Sequence, residues 1–199
     1  MQNEKSLTEH ESFEVISRMI KTAQNDIQDD SFYYLIWGWL VFAASTISYF
    51  LMQINYENSS LPWAILMPLG GIATGIYSYK QERKQKVRSY VDDVMKYVVI
   101  SFLVSLFIVL FSMSKLGLST YPLVMIIYGT WLFISGGAVK FQPLVLGGII
   151  NWILGIAAFF VGFEIQLLLL AAAVLLGYIV PGHMLKNRFK KQVNLSQSV

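Results

Sequence analysis

The sequence predicts an all-α polytopic membrane protein, six transmembrane helices preceded by an N-terminal amphipathic cytoplasmic helix. Three observations carry that expectation. Of the 199 residues, 55% are hydrophobic and only 14% charged. Soluble domains run at about 25% charged, so this chain has too few ionised groups to cover a globular surface. The charges cluster in residues 1–30, 80–96 and 186–191, and the stretches between are almost free of them. Six of those stretches approach the roughly 20 apolar residues that cross a hydrocarbon core of about 30 Å.

The expected spans are 32–52, 61–79, 97–114, 121–139, 143–161 and 166–184. They make up a transmembrane unit over 31–185, flanked by a cytoplasmic helix over 1–30 and a basic cytoplasmic tail over 186–199. Polar residues within the spans, such as Ser45, Thr46, Thr74, Ser105 and Ser135, are small ones able to bond their own helix backbone. The connections over 140–142 and 162–165 are short and predict antiparallel hairpins. Pro62, Pro122 and Pro143 stand at helix starts, where a missing N–H is harmless. Pro68 should kink the second span, and Pro181-Gly182 should bend or end the sixth.

Orientation follows from the distribution of Lys and Arg. With the N-terminus inside, fourteen of the fifteen basic residues fall on the inner side and only Lys115 falls outside. Trp63, Tyr56 and Tyr121 then form an outer aromatic belt, and Tyr33, Tyr34, Tyr79 and Tyr97 an inner one. The first 30 residues are acidic and lack a basic region followed by a short apolar run, which argues against a cleavable signal peptide. The expected location is the plasma (inner) membrane, multi-pass, with both termini cytoplasmic.

Thr8 and Glu11 have capping-box spacing. Phe13, Ile16, Ile20, Ala23 and Ile27 follow at intervals of three and four, forming one apolar stripe. That stripe is read as a helix lying on the membrane or the bundle, in preference to a partner-binding face. Residues 1–30 carry three basic and seven acidic groups, net −4, whereas residues 80–96 carry six and three, net +3. The two segments could dock on one another.

The basic run holding Lys80, Arg83, Lys84, Lys86 and Arg88 suits anionic lipid headgroups. No nucleic-acid recognition fold accompanies it, and a topogenic inner loop explains it equally well. Asn151, beside Trp152, is the strongest polar group at mid-membrane depth. With Gly147 and Gly155 it shares a helix face, the pattern of close packing and interhelical hydrogen bonding. A polar binding point in a central cavity is the functional alternative. Gly71-Ile72-Ala73-Thr74-Gly75 and Ala173…Gly177 invite the same packing reading. His183, after Pro181-Gly182, is a candidate pH-sensitive group, though an interfacial histidine is the plainer reading.

No acid or base lies near mid-membrane, whereas ion-coupled pumps place such groups inside the bundle. No nucleophile has a base at matching depth, and there is no cysteine. An enzyme is therefore not expected, nor a metal or other cofactor. Trp37-Gly38-Trp39-Leu40 echoes Tyr128-Gly129-Thr130-Trp131-Leu132, as two inverted halves would. The two motifs lie at different depths, so the echo is read as coincidence.

Four segments carry a resemblance: Glu11-Ser12-Phe13-Glu14-Val15-Ile16-Ser17-Arg18-Met19-Ile20, Trp37-Gly38-Trp39, Lys140-Phe141-Gln142-Pro143 and Tyr178-Ile179-Val180-Pro181-Gly182-His183. They are similar to an uncharacterised bacterial family of small six-helix inner-membrane proteins with an N-terminal cytoplasmic helix. The resemblance implies architecture and brings no assigned activity. The function expected is a non-enzymatic membrane scaffold or regulatory protein, contacting lipid or a protein partner, or another copy of itself, through its cytoplasmic face. The alternative is a small transporter or exporter of an uncharged or lipophilic solute.

Overall fold

Apolar helices joined by three- or four-residue connections have little choice but to pack antiparallel, and the connections over 139–141 and 159–162 are of that kind. The computed structural model describes residues 31–82 and 90–197, and among them there are helices and no strands. In chain order they are α1 (Ser31–Gln53), α2 (Leu61–Glu82), α3 (Tyr90–Phe111), the short α4 (Met113–Leu116) with a 3₁₀ turn (Gly117–Ser119), and α5 (Thr120–Ala138). Then follow α6 (Gln142–Ala158), α7 (Phe163–Val174), a π-turn (Leu175–Ile179) and α8 (Val180–Gln197). Five stretches are long and apolar enough to cross a membrane: Ser31–Gln53, Leu61–Lys80, Asp93–Phe111, Met113–Ala138 and Phe163–Lys191. The expected fifth span, 143–161, corresponds to α6, which has 17 residues and is the shorter apolar helix. Residues 1–30, with the expected amphipathic helix and its stripe, lie outside the described residues.

Cross-links at the helix ends set the alternation. At one end, Tyr33 and Ser78 share a hydroxyl–hydroxyl bond of 3.0 Å, and Arg188 Nη1 donates to the Lys140 carbonyl at 3.1 Å. At the other end, Gln53 donates to the Glu164 carboxylate at 2.9 Å. Lys80, Lys140 and Lys186 therefore share one end of the bundle, here termed the basic end.

Four elements form the interior: α1, α5, α6 and the continuous α7–π–α8 rod. Glycines bring α5 and α6 together. A side chain at Gly148 would meet the Gly129 carbonyl, one at Gly136 would meet the Val145 backbone, and Gly129 leaves the space that Trp152 fills. Small residues allowing such backbone approach are the usual means of joining apolar helices in lipid. Around these contacts Val41, Met125, Leu132, Leu144, Leu167, Leu170 and Val174 are wholly buried. By contrast α2 packs on α1 and α3 packs on α5, each from the periphery.

Three sequence expectations are corrected. Pro181-Gly182 does not end the last helix, which continues to Gln197. A proline lacks the N–H for the carbonyl four residues earlier and its ring crowds that carbonyl. The helix accommodates this by widening into the π-turn just ahead, where Gly177 is the residue four before Pro181. Within α2, Gly70 makes the close approach, against Leu40 and Trp37, while Gly71 and Gly75 face open space. Ser135 does bond its own helix, at Trp131 O, but the buried hydroxyls of Ser45 and Thr74 have no partner. Pro68 sits within α2 without interrupting it.

The turn between α5 and α6 depends on its neighbours. Lys140 takes a left-handed φ of 51°, a position usually given to glycine at helix C-termini. The Phe141 N–H reaches back to Gly136 O at 2.8 Å, the Arg188 guanidinium lies 5.6 Å over the Phe141 ring, and Phe141 is buried. Asn55 does the same service after α1 at φ 54°, where an asparagine is expected.

Candidate functional site

Asn151 stands near the middle of α6 and is completely buried. Its amide nitrogen donates to Gly147 O in its own helix at 2.9 Å and to Ala173 O across the interface at 3.1 Å. Ala173 lies at the change from α to π register, where helical hydrogen bonding is rearranged. Just beyond it, Gly177 lies so close to the same amide nitrogen that a side chain there would collide with it. A side chain at Gly147 would likewise strike the Gly177 backbone at 2.7 Å. Asn151 therefore ties α6 to the wide turn of the α7–α8 rod. Its carbonyl oxygen has no protein partner. Its neighbour Trp152 points the other way, its indole N–H donating to Ile126 O at 3.2 Å and lying 3.4 Å from the Thr130 hydroxyl. The two residues thus serve different interfaces.

Two further buried polar groups stand in the interior. Gln166, at the start of α7, gives its amide to Leu118 O at 2.9 Å, Ala158 O at 3.0 Å and Val161 O at 3.3 Å. It gathers the 3₁₀ turn and the end of α6 onto α7. A lone Gln at a span edge reads as an interfacial residue, so only its polarity could have flagged it. The other is a tyrosine cluster beside the π-turn. The Tyr178 ring lies 5.6 Å from Tyr128 and 6.3 Å from Tyr34, all three are buried, and the Tyr178 hydroxyl has no partner. Tyr34, expected in the inner aromatic belt, instead faces the interior. Tyr79 and Tyr97 are exposed as a belt requires.

At the basic end Lys80, Lys96, Lys140, Lys186, Arg188, Lys190 and Lys191 are all exposed. Arg83, Lys84, Lys86 and Arg88 lie outside the described residues, as do Phe13, Ile16, Ile20 and Ile27. His183 is exposed on α8, and its Nδ1 lies 2.9 Å from Ile179 O. Because a carbonyl only accepts, Nδ1 carries the proton of that bond. Among the described residues no three His, Asp or Glu side chains gather as a metal site.

A groove of about 460 Å³ runs between α3 and α5, lined by Val94, Tyr97, Ser101, Ser105, Ile127 and Trp131 among others. Phe102 anchors α3 there, its ring 5.2 Å from Trp131 and 6.0 Å from Tyr128. The Thr130 hydroxyl at the groove wall donates to Ile126 O at 3.0 Å. The groove is therefore an apolar surface with its α5 hydroxyl already bonded. This chain has no match among known protein families, curated proteins or solved structures.

Proposed function

We propose that this chain is a six-span inner-membrane protein with both termini in the cytoplasm, acting as a non-enzymatic scaffold or regulatory protein through lipid or partner contacts. The count of six rests on connectivity. The α5–α6 turn lies at the basic end, and the α6–α7 turn lies beside Gln53 and Glu164 at the other. A helix joining those two turns traverses the bundle. At about 1.5 Å per residue, the 17 residues of α6 span about 25 Å, within the short end of transmembrane lengths. Fourteen of fifteen basic residues on one side support the orientation.

One observation carries the choice of function: the Gly147–Gly177 backbone contact, closed over by the Asn151 amide. A bundle whose central amide nitrogen is committed to backbone carbonyls, with main chain packed on main chain, is closed at that point. The exposed basic end and the peripheral helices remain as working surfaces. Because the chain has no cysteine, single cysteines report topology cleanly. Substitutions at Ser59 and Lys115 should react with an impermeant maleimide in intact cells, and those at Lys140 and Lys190 only after permeabilisation. In-cell crosslinking from positions along residues 9–27 then tests the contact role. Capture of lipid or a distinct protein is expected, and capture of only the chain's own loop sinks the partner version.

A second reading, transport of an uncharged or lipophilic solute, draws on the buried polar atoms left without partners: Asn151 Oδ1, Tyr178 OH and the hydroxyls of Ser45 and Ser48. Reaction of a cysteine at Ser45 or Ser48 with a water-soluble reagent in the folded protein would favour it.

A further inference from the structure

We propose that Lys140, Arg188 and Lys191 form a seat for the phosphate of an anionic glycerophospholipid headgroup, between α8 and the α5–α6 turn. The seat rests on the membrane reading above, and not on which side the basic end faces. Two like charges are held together there. Arg188 Nη1 donates to the Lys140 carbonyl at 3.1 Å, and its guanidinium lies 5.6 Å over the Phe141 ring. A guanidinium has five N–H donors in a fixed fork, so this contact leaves most of the fork for a ligand. Lys140, Arg188 and Lys191 are all exposed. Lys191 follows Arg188 by three positions on α8 and shares its side of the helix.

Charge sets the sign of the ligand. Among the described residues, the acids of the basic end are Glu82, Asp92 and Asp93, all on α2 and α3. α8 and the α5–α6 turn carry five of that end's cations and no acid. Glu164 precedes them on the same rod but stands at the opposite end, bonded by Gln53. Lys140 and Arg188 are thus tied together with no carboxylate from either element to neutralise them. An anion offering several acceptor oxygens to the guanidinium fork is favoured there.

Depth selects a lipid phosphate over a soluble anion. The α7–π–α8 rod is continuous from Phe163 to Gln197. From Glu164 to Lys186 it rises by about 33 Å at the helical pitch. A hydrocarbon core is about 30 Å thick, and each headgroup layer adds about 5–7 Å. With Glu164 at one interface, Lys186 emerges at the other, and Lys191 follows about 7 Å further on. The cations therefore stand in the headgroup layer, where lipid phosphates are the resident anions. Basic clusters just beyond a transmembrane helix, and basic pockets between such helices, are seats of anionic lipid. The competing occupant is the acidic segment over 1–30, net −4, which joins α1 at the same end.

The test uses the full chain reconstituted in vesicles of equal parts phosphatidylglycerol and phosphatidylcholine with the same acyl chains. Native mass spectrometry of the re-extracted protein should show one phosphatidylglycerol retained per chain, preferred about tenfold over phosphatidylcholine. Lys140→Gly removes one cation while suiting the left-handed turn, so it separates binding from folding. It should lower the preference about fivefold, and Arg188→Gln should lower it at least as much. Lys80→Gln and Lys96→Gln remove cations of the same end outside the seat and should leave the preference unchanged. An equal loss from those two overturns the seat in favour of a diffuse basic surface, and displacement of the lipid by millimolar inorganic phosphate overturns the lipid source. Equal retention of both lipids by the unsubstituted chain also overturns the proposal. A disulfide in Asp29→Cys/Lys191→Cys would then assign the face to residues 1–30. Failure of the seat alone leaves Ser59→Cys and Lys190→Cys labelling from opposite sides of the membrane, whereas labelling of both from one side fails the membrane reading itself.

Discussion

The α6–π-turn interface and helix α3 are opposite uses of apolar sequence. α3 contains the most hydrophobic of the candidate spans, yet none of that span is buried in the protein. The α7–α8 rod is less apolar, and half of its span is buried. In water this ranking would be paradoxical. In lipid it is not, because hydrocarbon tails solvate Leu and Phe as well as protein does, and helices associate instead through close packing and hydrogen bonds. The interior is accordingly built from Gly129, Gly136, Gly147, Gly148 and Gly177, with Asn151 and Gln166 as connectors. The periphery displays Phe107, Ile108 and Phe111 to its surroundings.

Substitutions can break or sharpen this contrast. The largest effect is expected for Gly147→Leu, because the atoms its side chain would strike are backbone and cannot rotate away. Destabilisation of about 3 kcal/mol or more should follow, seen as loss of the folded monomer in steric-trapping or thermal unfolding in micelles. Gln166→Ala comes next. It strips three carbonyls of one donor group and should cost about 2 kcal/mol. Asn151→Ala should cost about 1 kcal/mol, the usual range for an interhelical bond in lipid, and greater protease sensitivity near the α6–α7 turn is not expected from it. A smaller change of opposite sign is expected for Lys140→Gly, which relieves a left-handed lysine and should stabilise by about 0.5 kcal/mol. Smallest of all is Gly71→Leu on α2, where open space should hold the change within about 0.5 kcal/mol. A large loss from Gly71→Leu would contradict the contrast between centre and edge.

Some of the site was legible in the residues. The spacing of Gly147, Asn151 and Gly155 announced a packing face, and all three are buried on α6. Ala173 and Gly177 were paired with the same idea and meet that face directly. Gly71 and Gly75 looked equivalent and are not, because spacing shows that a helix can be approached closely, not which neighbour approaches it. Tyr34 shows the same ambiguity. A tyrosine near a span end belongs to an aromatic belt by default, and only the proximity of Tyr178 and Gly182 turned it inward. Pro181-Gly182 predicts a bend or an end to the last helix; the helix instead continues to Gln197, with a π-turn over Leu175–Ile179 just ahead of the proline, because the ring acts on the turn before it.

By itself the sequence determined that the chain is helical and membrane-bound, since charge-free apolar stretches of this length satisfy their backbone in lipid only as helices. It determined where the hairpins lie, through short polar connections and prolines at helix starts. Tertiary structure alone decided which helices are central and which peripheral. It alone placed Asn151 on Ala173 and opened a groove between α3 and α5. The physical reason is the solvent. With hydrocarbon on every side, hydrophobicity marks what enters the membrane but not what faces protein, and that choice falls to glycine fit and to a few amide bonds.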